Sequence, residues 1–367
     1  MYNLYFSLII ISLLTAWPQS GRSTFNNTKE RINTFHCDGD CKNGQGTYTF
    51  SNGDQYIGSW KNQTQNGKGT MKYNNGDLYD GLWLDGFRNG QGKLIFSNGD
   101  EYLGHFKNDI MSGQGSMNYN DGSEFEGSWE NNMRNGQGTF IDFDGSKYSG
   151  SFKDNKISGE GTYIFLNGNK YEGKFKNGTL NGQGIMFYNN GDIYDGAWKN
   201  GNKHSYGTLT SKNGDKYIGD WIDDEKNGSG IQTWEGHPKW YKYDGHWKNN
   251  NMHHGEMIYQ NGDIYNGSWE NGKRNGKGFQ IWKSHYKWKE YNGYWQGDVF
   301  QGNGKLILIN GFEYIGDFRN NKPHGQGSGT SPDGRKWPEF MEKGSWKNGS
   351  PYGYSLSDND KIFKNIF

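Results

Sequence analysis

Cysteine is almost absent from this chain of 367 residues, with Cys37 and Cys41 the two present. That excludes a disulfide-stapled scaffold, and with His36 the pair falls short of the four ligands of a structural zinc site. The two sulfurs can close one small loop in an oxidising compartment or stay free thiols in a reducing one. Neither sign of charge dominates, since Lys plus Arg and Asp plus Glu each total 40. This balance argues against bulk binding to nucleic acid. Hydrophobic residues make up only 31% and the mean hydropathy is −1.08. Disorder is nevertheless excluded by what the chain has in excess, 17% aromatic residues beside 59 glycines. Large rings at fixed spacing can build a thin, aromatic core.

Long apolar runs are also missing, apart from Leu4 to Trp17. That run has the length of a signal-peptide core and is short for a membrane-spanning helix. Residues 1–20 are therefore expected to be a signal peptide or membrane anchor, although no Lys or Arg precedes the run. A misassigned start or an apolar cap is the plainer alternative. Residues 21–40 read as a polar linker.

The remainder is repetitive. An aromatic residue opening x-Gly-x-Trp/Phe stands at Tyr56, Tyr79, Tyr102, Phe125, Tyr148, Tyr171, Tyr194 and Tyr217, at steps of 23. Tyr243, Tyr265, Tyr291 and Tyr314 follow at steps of 26, 22, 26 and 23, and Glu342 to Trp346 is a degenerate copy. A fixed period in this range marks a stacked array in which no single unit can bury its apolar face alone. Residues 41–353 form about 13 such units.

Within a unit, the alternation of Tyr56, Gly58 and Trp60 with Ile57 and Ser59 predicts a strand with one buried face. A polar loop over Lys61 to Asn66 leads to Gly67-Lys-Gly69 and a second short strand at Thr70–Tyr73, and Asn75-Gly76-Asp77 supplies a tight turn. Gly between aromatic residues leaves flat backbone on which a neighbouring ring can lie. The expected fold is all-β, one elongated antiparallel sheet of tandem hairpins. About 26 strands at about 4.8 Å would extend roughly 120 Å.

Tyr-x-Gly-x-Trp, a paired Gly-x-Gly and Asn-Gly-Asp resemble the MORN (membrane occupation and recognition nexus) repeat, over about residues 41 to 353. Gly44-Gln-Gly46, Gly90-Gln-Gly92, Gly136-Gln-Gly138, Gly182-Gln-Gly184 and Gly276-Lys-Gly278 carry the paired glycines. Ser205-Tyr-Gly207 and His253-His-Gly255 depart from the pattern. The resemblance implies a scaffold at membranes or the cytoskeleton, sometimes with phosphoinositide affinity and sometimes dimeric. The catalytic domains that accompany such arrays elsewhere have no room here.

Two stretches lie outside that consensus. Trp234, His237, Lys239, Trp240 and Tyr243 recur 48 residues later as Trp282, His285, Lys287, Trp288 and Tyr291. A third long loop repeats the pair as Lys336 and Trp337. All three should project from one sheet edge. There Trp can anchor a protein or anionic-lipid surface while Lys meets carboxylate or phosphate. The plainer reading is longer hairpins whose Trp rings cover neighbouring glycines. Lys61, Lys107, Lys153, Lys176, Lys199, Lys248 and Lys347 mark the opposite edge. Asp54, Asp77, Asp100, Asp192, Asp215 and Asp263 mark the turn edge, charges that ordinarily guard against aggregation.

No spacing for a metal, nucleophile or phosphate loop appears. Asp142-Phe-Asp144-Gly145 opens like a calcium loop but lacks the Glu at its twelfth position. Neither an enzyme nor a cofactor is expected. The tail at 354–367, with Ile362, Phe363, Ile366 and Phe367 on one side, predicts a short capping helix. The reading is a non-catalytic scaffold for protein or membrane-surface association. Alternatives are a phosphoinositide-binding peripheral module and an accessory subunit of a cytoskeletal or membrane assembly. Its location is at membranes or in the secretory pathway, or else cytoplasmic and cytoskeletal.

Overall fold

The computed structural model describes residues 37–337 and 344–351. The expected leader at 1–20, the linker up to residue 36 and the expected capping helix at 354–367 lie outside the described residues. Among the described residues there are 29 strands and no helix. The paired strands are antiparallel, giving the all-β array of tandem hairpins that the alternation predicts. The chain divides into two units: Met1–Asn189 with Trp198–Asn202, and Asn190–Ala197 with Lys203–Phe367.

One repeat of the first unit shows the construction. Strand Gln55–Lys61 buries Tyr56 and Trp60, whereas Ile57 on the other face is 44% exposed. The polar segment after it is not a loop over 61–66. Asn62 and Gln63, with φ of 49° and 61°, form a two-residue hairpin, and the next strand runs Thr64–Lys72. Positive φ at both central residues matches the right-handed strand twist, and Asn tolerates that region. At the opposite edge Tyr73 N–H donates to the Asp77 carbonyl at 2.9 Å, enclosing three residues. There Gly76 takes φ of 95°. Asn75 stays in the ordinary region, and its amide donates to Asp77 Oδ2 at 2.9 Å.

Glycine lets the rings approach the sheet. Gly58, Gly69, Gly81 and Gly92 face one another across successive strands. A Cβ on Gly69 would lie 2.1 Å from the Tyr56 hydroxyl. The flattened Tyr56 is wholly buried and donates its hydroxyl to the Ser59 carbonyl at 3.0 Å. Trp60 meets Tyr56 edge-on at 5.0 Å, and Trp83 from the following repeat meets it at 5.3 Å. This herringbone continues within the unit to Tyr171 and Trp198. Burial of each such ring contributes about 1.5–3 kcal/mol.

The second unit repeats the plan from Tyr194 against Trp221 to Tyr314 against Trp346. Its irregular steps now have causes. In a regular unit the first Gly of Gly-x-Gly sits in a bulge at positive φ, as Gly67 does at 95°. Ser205 keeps that conformation at φ 60° without being glycine. At His253 the bulge residue is deleted rather than replaced, for Met252 and Gly255 are separated by one residue fewer than Gln65 and Gly69. That deletion is the 22-residue step. The two 26-residue steps each lengthen one turn by three residues, between Thr233 and Trp240 and between Ile281 and Trp288.

Candidate functional site

The two lengthened turns of the second unit, between Thr233 and Trp240 and between Ile281 and Trp288, share one construction. Each begins from the aromatic face. Trp234 N–H donates to the Tyr241 carbonyl at 3.0 Å, and Trp282 N–H to the Lys289 carbonyl at 2.9 Å. Histidine closes the loop from within. His237 Nδ1 accepts the backbone N–H groups of Lys239 and Trp240 at 3.1 and 2.8 Å. His285 Nδ1 does the same for Lys287 and Trp288 at 3.1 and 2.9 Å. A nitrogen that accepts cannot carry a proton, so a proton on His285 Nδ1 would break both of its contacts. Burial lowers the pKa of His285, opposed by the charge of Asp263 and assisted by Lys287.

Rings fill the loops. His237 stacks on Trp240 with centroids 4.9 Å apart, and Trp234 leans on Trp240 at 5.2 Å. The second loop copies this with His285 on Trp288 at 4.6 Å and Trp282 against Trp288 at 5.3 Å. Phe300 supports both of its Trp rings. Each predicted trio is thus brought together within its own loop, where the Trp and His residues are half-buried and hold the loop's form. The outward groups are different ones. Lys239 is exposed, Tyr241 is 51% exposed and Tyr286 is 74% exposed. Lys287 lies over the Tyr286 ring at 5.4 Å. Lys336 is exposed, and Trp337 pairs its backbone with Gly329. The exposed Tyr241 was not legible, since alternation from the buried Tyr243 would turn it inward and the register shift between Trp240 and Lys242 is what leaves it outside.

The turn-edge carboxylates prove to be a hydrogen-bonded rail, and at the opposite edge the rail is made by Asn side chains beside the expected lysines. At the turn edge Asp77 Oδ1 accepts the N–H of Ser97 in the next repeat at 2.8 Å, Asp100 that of Asn120, and Asp215 that of Glu235. At the other edge Asn132 Oδ1 accepts from Met111 N–H at 2.8 Å, and Asn321 from Phe300 N–H at 2.7 Å. Each carboxylate or amide therefore ties one hairpin to its neighbour.

A row of cations on the aromatic face was missed in the sequence. Five residues after a Trp, across the two-residue hairpin, stand Arg88, Arg134, Lys203, Lys226 and Arg274. Arg88 is 3% exposed and lies over Phe106 at 5.2 Å while its Nε donates to Asp109 Oδ1 at 3.2 Å. Arg274 sits over Trp295 at 4.1 Å, with its Nε donating to Asp298 Oδ1 at 2.9 Å. Burial opposes the charge of Asp298, but hydrogen bonds from Arg274 hold its carboxyl below the usual range. Lys226 lies over the rings of Tyr217 and Trp247 and donates to Gln232 Oε1. Burial, with Lys203 nearby, brings its ammonium down to about 8. The signal was a fixed offset from Trp, hidden because those positions read as loop.

At the amino-terminal end Cys37 and Cys41 are joined, with Cα atoms 6.2 Å apart. No group of three or more His, Cys, Asp or Glu could hold a metal among the described residues.

A family model described as MORN repeat matches residues 42–55, 56–78, 79–101, 102–124, 125–147, 148–170, 171–193, 194–216, 217–237, 243–264, 265–285, 291–312 and 314–334. Among curated proteins none matches the chain. A solved structure similar to part of it is the TCP10 domain of Danio rerio CPAP in complex with a STIL peptide. It is 10% identical, with 59% of this chain and 93% of that chain covered and a TM-score of 0.35. The SAS-4 (dCPAP) TCP domain of Drosophila melanogaster with a proline-rich motif of Ana2 is 13% identical, covering 52% and 94%, with a TM-score of 0.26. Neither likeness is close enough to carry an argument.

Proposed function

Because this chain belongs to the MORN repeat family, matched in thirteen consecutive segments, we propose that it is a non-catalytic scaffold that holds a protein partner along its second unit. The observation that supports this reading is the duplicated loop. Two sheet turns share the same three-residue extension, the same His clasp, the same Trp stack and a Lys at the same place, Lys239 and Lys287, and each has an exposed Tyr at a place of its own, Tyr241 in the first and Tyr286 in the second. A single long hairpin needs no copy; two at a spacing of 48 residues give a partner two matched points of contact. Trp234, His237, Trp240, Trp282, His285 and Trp288 shape the surface, while Lys239, Tyr241, Tyr286 and Lys287 meet the partner, with Lys336 and Trp337 extending the same edge. Tyr at a partly desolvated contact supplies area and a polar end together.

A second reading rests on the tip of the second loop. Tyr286 is 74% exposed between exposed Lys283 and half-exposed Lys287, a composition suited to an anionic membrane surface. The joined Cys37 and Cys41 support a location in the secretory pathway.

The test compares the full chain with a Tyr241→Ser, Tyr286→Ser double variant, which leaves the loop interior intact. Proteins cross-linked to each in the native cells are identified, and each is sedimented with neutral and phosphoinositide-containing vesicles. Loss of specific cross-links in a folded variant is expected. Vesicle binding alone, lost in the variant and weakened by salt, would favour the membrane reading. If cross-links and sedimentation are the same for both proteins, this edge is not the contact surface.

A further inference from the structure

The shortened repeat at His253 rearranges the face of the sheet that points away from the rings. In strand Trp240–Lys248, Tyr243 and Trp247 are buried, so Asp244 and His246 stand on the other side. In the next strand, Asn251–Tyr259, Met257 is buried, which turns Glu256 and His254 outward. Register sets the two histidines face to face. His246 pairs directly with His254, and Asp244 with Glu256.

In regular repeats a full bulge prevents such a pair. His105 holds the place of His246 in its own strand, yet the register breaks opposite it, between Gly104 and Phe106, and the next Gly-x-Gly carries Gln114. Loss of one bulge residue is what squares the pair at His246, in the one repeat that has His at both places. The sequence hides this relation, because the two residues are eight positions apart and meet only through the hairpin.

Both imidazoles are exposed, and their neighbours in the same row are small, Ser229 beside His246 and Ser268 beside His254. Solvent reaches the pair. No side-chain hydrogen bond or ion pair holds the His246 ring among the described residues. His254 Nδ1 lies 3.4 Å from Ser268 Oγ, and when that nitrogen carries the proton, Nε2 keeps its lone pair for a ligand role. Directly opposed residues on one face of a sheet have Cβ atoms about 4.5–5.5 Å apart, and exposed rings turn readily about χ1. Two imidazole nitrogens can therefore close on one ion. Of the acids alongside, Asp244 is held by Lys242 at 3.0 Å, and the charge of Glu256 favours a cation near the pair.

We propose that His246 and His254 form a two-imidazole site for a divalent first-row transition ion, with Cu²⁺ preferred. Imidazole suits Cu²⁺, Ni²⁺ and Zn²⁺, and affinity at a given nitrogen site peaks at Cu²⁺. Mg²⁺ and Ca²⁺ require oxygen ligands and are rejected. The site takes two protein ligands rather than the four of a closed structural centre, and water fills its other positions. It uses neither Tyr241 nor Tyr286, so it stands or falls apart from the scaffold reading.

The full chain is titrated with Cu²⁺, Ni²⁺, Zn²⁺ and Mg²⁺ salts by calorimetry, and its copper complex is measured by electron paramagnetic resonance. One copper ion on two imidazole nitrogens is expected, with weaker nickel and zinc and no magnesium. His246→Gln and His254→Gln should each weaken copper at least about tenfold, since a residue that merely orients a metal ligand is already worth about 10–100-fold. Both positions are exposed, and an unchanged far-ultraviolet dichroism spectrum verifies the fold. His253→Gln should leave the affinity as it is. A Gly inserted between His253 and His254 restores the Gly-x-Gly bulge with every histidine kept, and it should cost as much as removing one of the pair. No copper binding, magnesium bound as tightly as copper, or a loss in fewer than both of the His246 and His254 variants would overturn the proposal. An equal loss from His253→Gln, or full affinity in the insertion variant, would overturn it too, by showing that register does not build the site.

Discussion

His285 accepts the backbone N–H of Trp288 on Nδ1 at 2.9 Å and stacks on the Trp288 ring at 4.6 Å. One residue thus joins the loop's backbone to its aromatic filling, and protonation would break both donor contacts. Because burial lowers the native pKa from the ordinary 6.5, the unfolded chain binds the proton first on acidification. The loop's stability is therefore full above about pH 6.5 and is lost as pH falls through the lowered native value. Amide exchange at Lys287 and Trp288 should quicken between pH 7.5 and 5 beyond the intrinsic trend. His285→Ala should exchange fast throughout. A wild-type profile that matches the variant at every pH would show that the clasp does not hold the loop.

The central glycines are required by ring contact. Gly69→Ala would drive a methyl into the Tyr56 ring, at 2.1–2.5 Å from three of its atoms. The flattened ring must lift, and the cost should be at least about 2–3 kcal/mol. Gly178, at φ 82° with nothing within 4 Å, should lose only about 1 kcal/mol on change to Ala. Denaturant midpoints of the two variants check this, and equal losses would mean that the ring does not need the glycine floor.

The strand alternation, the buried Tyr and Trp row and the repeat boundaries were legible because rings at 23-residue steps leave one way to bury them. The inward cations were not. Arg134 and Lys226 stand among Asn and Gly, and such polar residues read as loop until the two-residue hairpins at Asn131–Asn132 and Asp223–Asp224 are seen to put them on strands. The clasping His was legible as a repeated residue but not as a role, since its partners are backbone groups. The turn carboxylates were read as exposed charge, yet the Asp77 contact to Ser97 crosses 20 positions and depends on register between hairpins.

Ser205 holds the bulge position at φ 60° that its counterparts fill with Gly. A residue with a Cβ is strained there, so Ser205→Gly should stabilise the second unit by up to about 1 kcal/mol. The gain would appear as a higher denaturation midpoint with the fold unchanged. A loss would mean that the Ser side chain contributes more than the strain removes.

Deletion of the bulge residue next to His253 reaches the following repeat. Trp247 donates its indole N–H to the Gly230 carbonyl at 3.0 Å, and Trp295 donates to Gly278 at 3.2 Å. Trp269 packs on the strand that lost the bulge, and its Nε1 is buried without a partner. The same displacement lengthens the ring spacing there, for Tyr243 and Trp269 lie 6.2 Å apart where Tyr217 and Trp247 lie 5.4 Å apart. Phe at either position loses ring area, but only Trp247 gives up a hydrogen bond. Trp247→Phe should therefore cost about 1 kcal/mol more than Trp269→Phe. If an unpaired indole N–H carries the usual penalty, part of the area lost at Trp269 is offset by removing it, which widens the gap. Urea unfolding of both variants, followed by far-ultraviolet dichroism, measures the difference. Equal costs would show that Trp269 finds a partner in solution, and that the deletion is absorbed by the strand rather than passed to the ring.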